Sequence, residues 1–124
     1  MTIKVLPAVT RITNLRLNAT IGCNEWERYQ KQEIVINITM EFNAKDAVES
    51  DELADTLDYR KVKKTVVASV EKSSFNLLEK LASHILYIVM KQPRVERATV
   101  CVDKPGALRF ADSVSITLSA ERQA

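Results

Sequence analysis

Four segments of the chain alternate between apolar and polar residues, which is the pattern of β-strands that lay one face on a core. They are residues 10–21, 34–42, 98–103 and 113–121. In the first segment the apolar face consists of Leu15, Leu17, Ala19 and Ile21. The pattern therefore predicts two strands near each end of the chain.

Between these strand pairs the apolar spacing changes to that of helices. One set predicts a helix from about 59 to 72: Val62, Val66, Val67 and Val70. A second set predicts a helix from about 76 to 91, ended by Pro93: Leu77, Leu78, Leu81, Ile85, Ile88 and Val89. Residues 44–55 are predicted to be an acidic loop. The element order is ββααββ, in a single domain covering residues 1–124.

This order predicts an α+β fold, a four-stranded antiparallel sheet with both helices on one face. The second face of the strands is rich in Thr, Ser, Asn, Arg and Asp, which is too polar for a dry core. That face must meet water. Because exposed sheet edges promote association, we expect the sheet to join others edge to edge, closing a ring around a wet lumen.

Composition excludes several classes of protein. The net charge is only +2 and the basic residues are scattered, so no nucleic-acid partner is predicted. No apolar run approaches a signal peptide's central segment or a membrane span, and we expect a cytoplasmic protein. Cys23 and Cys101 have neither zinc-site nor disulfide-framework spacing, which favours a reducing compartment.

Familiar catalytic motifs are missing from the sequence. The single histidine, His84, lies inside a predicted helix, which argues against a histidine-based triad. With two glycines the chain has neither a P-loop nor a GxGxxG motif, and we predict no metal and no cofactor. The remaining candidates are ionisable residues at the ends of elements: Glu27, Tyr59, Glu79 and Lys104.

Lys104 is the first of these candidates because it lies between a strand and a Pro-Gly turn. A lysine held there and partly desolvated can transfer protons. The structural alternative is a solvated loop lysine. Glu27 could likewise be a solvated charge, Tyr59 an amphipathic helix-start residue, and Glu79 the partner of Asn76 in a capping box. Taken one by one, these residues favour the structural alternatives.

Taken together, four separated segments resemble the dihydroneopterin aldolase family. They are IGCNEWE at 21–27, followed by Gln32, LDY at 57–59, NLLEKLA at 76–82 and VDKP at 102–105. The resemblance runs from about residue 12 to the C-terminus. NLRL at 14–17 and KPGALRFADSVS at 104–115 are most similar to the sister branch, the dihydroneopterin triphosphate 2'-epimerases.

The resemblance implies the tunnelling fold, in which four ββααββ subunits close a barrel and two rings stack into an octamer. Pterin pockets then lie between neighbouring subunits. The implied activity is inversion at C2' of 7,8-dihydroneopterin triphosphate. One alternative is the aldolase reaction, which yields 6-hydroxymethyl-7,8-dihydropterin and glycolaldehyde for folate biosynthesis. Another is a non-catalytic pterin-binding ring protein.

The resemblance also implies residue roles. Lys104 matches the general acid and base, Glu27 a second active-site glutamate, and Tyr59 a proton donor or orienting group from the adjacent subunit. Glu79 matches the glutamate that accepts hydrogen bonds from the pterin's amino and ring N–H groups. The other implied pterin contacts are Leu57, Asp58 and Leu78.

A triphosphate tail requires cations. Arg109, beside the Lys104 turn, is the predicted one. Four further cations on the first helix either bind the tail or form the helix's solvated face: Arg60, Lys61, Lys63 and Lys64.

Overall fold

The computed structural model describes residues 2–123, and its central element is a five-stranded sheet in the order β3-β1-β2-β4-β5. The strands are β1 Ala8–Ile21, β2 Gln32–Phe42, β3 Ser74–Phe75, β4 Val95–Pro105 and β5 Ser113–Glu121. Neighbouring strands are antiparallel except β1 and β3, which are parallel. The predicted α+β class and the four long strands are confirmed, whereas the prediction of a four-stranded sheet is wrong.

The helices are α1 Lys45–Ser50, α2 Tyr59–Lys72 and α3 Leu78–Met90. Two 3₁₀ turns, Glu25–Arg28 and Leu53–Asp55, complete the elements. The two predicted helices are therefore confirmed, while the predicted acidic loop holds α1 and the second of these turns. None of the helices in residues 2–123 has the length and apolar character needed to cross a membrane.

The fifth strand, β3, pairs with the end of β1, placing Ser74 opposite Thr20. The guanidinium of Arg28 holds it there by donating to the Phe75 carbonyl, at 3.0 Å, and to the Ser74 hydroxyl. Two residues are too few to produce an alternation. Sequence periodicity therefore could not reveal this strand.

The core lies between one face of the sheet and helices α2 and α3. Helix α2 buries Val62, Val66 and Val70, and α3 buries Leu81, Ile85 and Val89 among others. On the opposite face the Thr99 and Ser119 hydroxyls are 2.9 Å apart, and Arg97 pairs with Glu41 and Glu121. The predicted polar face is confirmed.

A β-bulge interrupts β1 at Asn14, whose φ is +55°. The Asn14 backbone N–H donates to the Asn37 side-chain oxygen at 2.9 Å. Ile12 faces the core before the bulge, and Leu15 faces it afterwards. The unbroken alternation predicted for residues 10–21 is therefore wrong at this point, because the extra residue shifts the core-facing positions by one.

The strand registers define two ends of the sheet. At the end that we call the Gly22 end, Ala19 lies opposite Gln32, and Val35 lies opposite Asp103. At the Phe42 end, Ala8 lies opposite Phe42. Helix α2 starts at the Phe42 end and runs to β3 at the Gly22 end, where α3 then begins.

Candidate functional site

Glu27 and Lys104 form a buried ion pair at the Gly22 end. Glu27 is 4% exposed and is the one charged residue of the described chain that is fully buried. The Lys104 side chain is 12% exposed, and its Nζ lies 2.5 Å from Glu27 Oε2. The pair joins the first 3₁₀ turn to the end of β4. The alternative that Lys104 and Glu27 are solvated loop charges is therefore wrong.

The Glu27 carboxylate is an ion with several donors around it. The Lys104 ammonium, the Gln32 Nε2 group at 3.0 Å and the Asn24 backbone N–H at 3.1 Å all donate to it. The Lys104 hydrogen bond is the main cause that lowers the pKa of Glu27 from 4.5 to about 2, and burial acts in the opposite direction. Glu27 is consequently ionised at neutral pH and holds the Lys104 amine in place.

Gly22 makes room for this carboxylate. Its φ is +135°, and a Cβ built on it would lie 2.1–2.3 Å from the carboxyl atoms of Glu27. The backbone is also tied on both sides, since Gly22 N donates to the Phe75 carbonyl and Arg28 donates to the Gly22 carbonyl. No side chain fits at position 22 while Glu27 stays where it is.

Replacing Gly22 with alanine is therefore expected to expel the Glu27 carboxylate. We expect a loss of roughly 2–4 kcal/mol of unfolding free energy, from backbone strain and from the broken ion pair, together with loss of turnover. Urea unfolding and activity measurements test this.

Gly106→Ala is the matched control. Gly106 also has positive φ, +73°, but nothing lies within 4 Å of an added Cβ. It should cost only about 1 kcal/mol of strain. Equal losses in the two variants would contradict the steric explanation.

Leu78 and Glu79 open α3 at the same end of the sheet. The Cys23 thiol donates to the Asn76 carbonyl at 3.6 Å, which ties this helix start to the loop after β1. Helix α3 is capped by Leu77 without a side-chain hydrogen bond, so the capping-box alternative for Asn76 and Glu79 is wrong. Within residues 2–123 no protein group bonds the exposed Glu79 carboxylate, which leaves it able to accept bonds from a ligand.

Arg109 lies on the exposed loop that links Lys104 to β5. Its guanidinium carbon is 5.4 Å from the centre of the Phe110 ring. It forms no ion pair with any residue in the described range. Its charge is therefore available at the Gly22 end.

Leu57, Asp58 and Tyr59 lie elsewhere, at the start of α2. Leu57 is buried, Tyr59 is 53% exposed, and the Asp58 carboxylate caps the helix by accepting from the backbone N–H groups of Arg60 and Lys61. Helix α2 has 14 residues and is about 20 Å long. Since only its far end reaches the Gly22 end, one subunit does not bring Tyr59 to Lys104.

Gly22 and Gln32 lie in the segments that carry the family resemblance, but no site role was predicted for either of them. Gln32 Nε2 donates to the Ile21 carbonyl as well as to Glu27, so it fixes the carboxylate to the end of β1. Their signals were weak: Gly22 is one of only two glycines, and Gln32 begins a strand that looks ordinary. No group of three His, Cys, Asp or Glu residues in the described range is arranged to hold a metal ion.

Known proteins are similar to this chain in sequence and in fold. The family model of FolB, dihydroneopterin aldolase, matches residues 10–119. A dihydroneopterin triphosphate 2'-epimerase of Escherichia coli K12 is 46% identical over 115 residues, 93% of this chain and 96% of that protein. A dihydroneopterin aldolase of the same strain is 31% identical over 107 residues, 86% of this chain and 88% of that protein.

Among solved structures, E. coli dihydroneopterin aldolase in complex with neopterin matches with a TM-score of 0.86 and 29% identity, covering 91% of this chain and 98% of that one. The family resemblance seen in the sequence is thus confirmed by sequence and by fold. The chain belongs to the dihydroneopterin aldolase family.

Proposed function

We propose that this protein is a dihydroneopterin triphosphate 2'-epimerase. The observation that carries the reaction type is the buried Lys104–Glu27 pair, because an amine held in place by a carboxylate can pass protons to and from a bound substrate. The epimerase branch is supported by the identities to the two E. coli proteins, 46% to the epimerase and 31% to the aldolase.

The substrate itself provides the electron sink for this reaction. In a dihydropterin the C6=N5 imine is conjugated to the side chain. When the C1'–C2' bond breaks, its electrons move through C6 to N5, N5 gains a proton and the 2'-hydroxyl loses one. The result is an enamine and an aldehyde. The step therefore needs proton transfer and positioning from the protein, but no covalent bond to a lysine.

Lys104 is the proposed proton carrier. Its Nζ group, which is hydrogen-bonded to Glu27, gives a proton to N5, directly or through water. The neutral amine accepts the proton of the 2'-hydroxyl, so the lysine is unchanged after bond cleavage. The same proton transfers in reverse accompany re-formation of the C1'–C2' bond. Glu27 keeps the amine in position and balances its charge.

The pterin ring is held by residues from both ends of the sheet in this proposal. Glu79 accepts bonds from the pterin's amino and ring N–H groups, and Leu78 packs beside it. Leu57 and Asp58 offer backbone contacts, and Tyr59 orients the side chain or donates a proton. The complex of E. coli dihydroneopterin aldolase with neopterin supports a pterin as the ligand class.

Epimerisation and aldol cleavage share these steps and differ in the fate of the aldehyde. To invert C2', the aldehyde must stay in the site, rotate and be attacked on its other face. If the protein binds the triphosphate tail, the aldehyde that carries the tail stays in the site. Arg109, near Lys104, is the cation that we propose binds it. Aldolase activity, which releases the aldehyde, is the alternative that the FolB family match favours.

The separation of Tyr59 from Lys104 supports sites shared between subunits. A complete site then requires that one subunit present its Gly22 end to the start of α2 in a neighbour. We propose the ring assembly of the tunnelling fold, with four subunits per barrel and two rings per octamer. The polar sheet face would line the lumen.

The cellular location that we propose is the cytoplasm. Both cysteines of the chain, Cys23 and Cys101, are free thiols in the structure. Disulfides persist in oxidising compartments and are rare where thiols are kept reduced, so unpaired cysteines agree with a reducing location.

Chromatographic product analysis tests the proposal. The protein is incubated with dihydroneopterin triphosphate and, separately, with dihydroneopterin. We expect the 2'-epimer of the triphosphate with little 6-hydroxymethyl product. Predominant 6-hydroxymethyl-dihydropterin and glycolaldehyde would instead establish an aldolase. Pterin fluorescence quenching without turnover of either compound would indicate a binding protein.

A further inference from the structure

A cleft of about 830 Å³ opens at the Phe42 end, beside the start of α2. Leu57 and Tyr59, two of the proposed pterin contacts, line it. Its other walls include Thr10 and Phe42 from the strands. The cleft therefore continues from the half of the site that lies far from Lys104.

Three cations line the same cleft, Arg60, Lys61 and Lys64. One carboxylate accompanies them, that of Asp58, and it already accepts two backbone N–H groups at the start of α2. Lys61 and Lys64 are three positions apart on the helix, so they lie on the same side of it. The cleft thus concentrates positive charge with little to balance it.

These three cations have no protein partner among residues 2–123, neither a carboxylate nor a carbonyl bonded to the side chain. Seven other basic residues of the described range have protein partners, whereas Lys63 and Arg109, which do not line the cleft, have none. Arg16, Arg97 and Lys104 pair with carboxylates, and Arg28, Lys31, Arg94 and Arg122 donate to backbone carbonyls. An anion in the cleft would relieve the repulsion among the three free cations.

We propose that Arg60, Lys61 and Lys64 bind the triphosphate of the substrate in this cleft. The inference rests on the proposed function and deepens it, since it adds to Arg109 a set of cations that would retain the aldehyde fragment through its triphosphate. The arginine fork can bind phosphate oxygens bidentately, and the two lysines add compact charges. A tail leaving a pterin held at Leu57 and Tyr59 enters the cleft these cations line.

Lys63 gives a matched control. It has the same charge, lies on the same helix and is exposed, but it does not line the cleft. For dihydroneopterin triphosphate, the double variant Lys61→Ala, Lys64→Ala is expected to raise KM roughly tenfold or more, whereas Lys63→Ala changes it less than about twofold. For dihydroneopterin, which has no phosphate, the KM of both variants should stay close to that of the parent protein.

Binding of inorganic tripolyphosphate, measured by titration calorimetry, separates the site from the reaction. The parent protein and Lys63→Ala should bind it, and the double variant should not. If this pattern holds in a protein without epimerase activity, the anion site stands and the proposed function fails. Suppose instead that epimerase activity is present. If the double variant then matches Lys63→Ala both in its KM for dihydroneopterin triphosphate and in its binding of tripolyphosphate, the proposed anion site is refuted.

Discussion

Replacing Lys104 with alanine is expected to lower turnover by roughly a thousandfold while leaving pterin affinity within about threefold of the parent value. Lys104 lies at the reacting side chain of the substrate in our proposal, whereas Glu79 binds the ring. Glu79→Ala should therefore weaken binding itself, raising the Kd for the pterin by roughly tenfold or more. Fluorescence quenching by a pterin and initial rates measure the two effects. Equal losses of affinity in both variants would contradict this division of roles.

Stability must be measured beside activity, because Lys104→Ala leaves the buried Glu27 carboxylate without its cation. Removing one partner of a buried ion pair costs about 3–5 kcal/mol of unfolding free energy. The double variant Glu27→Gln, Lys104→Met removes both charges and keeps similar volumes. It should be more stable than Lys104→Ala and equally inactive. Activity in the double variant would exclude Lys104 as the proton carrier.

The fold was largely predictable because most of its elements are long and have one apolar face. The valines of α2 and the alternation in β2 repeat often enough to fix the type of element. The two features that escaped prediction depend on tertiary contacts. Strand β3 exists where Arg28 holds it against the end of β1, and the bulge at Asn14 is stabilised by Asn37 from the neighbouring strand.

The candidate site was less predictable from residue chemistry alone. Lys104 and Glu27 are 77 positions apart, and each looks like a surface charge when taken singly. Family resemblance linked them, and the structure shows their contact. Gly22 and Gln32 act on Glu27 through packing and a hydrogen bond, which no local pattern encodes.

Mixing two inactive variants is expected to restore activity if the sites are shared between subunits. Tyr59→Ala and Lys104→Ala should each be nearly inactive alone. In randomly mixed oligomers, about one site in four combines an intact Lys104 with an intact Tyr59 from the neighbour, so co-expression should recover up to about a quarter of parent turnover. Differently tagged chains allow the mixed oligomers to be purified before assay.

A second mixture provides the decisive comparison. Glu27 and Lys104 contact each other within one subunit, so mixing Glu27→Gln with Lys104→Ala leaves every site with one defective half. That mixture should stay inactive. Recovery in the first mixture alone means that Tyr59 acts across a subunit boundary. This agrees with the length of α2, about 20 Å, which separates Tyr59 from Lys104 within one subunit. No recovery in either mixture would remove Tyr59 from the shared site.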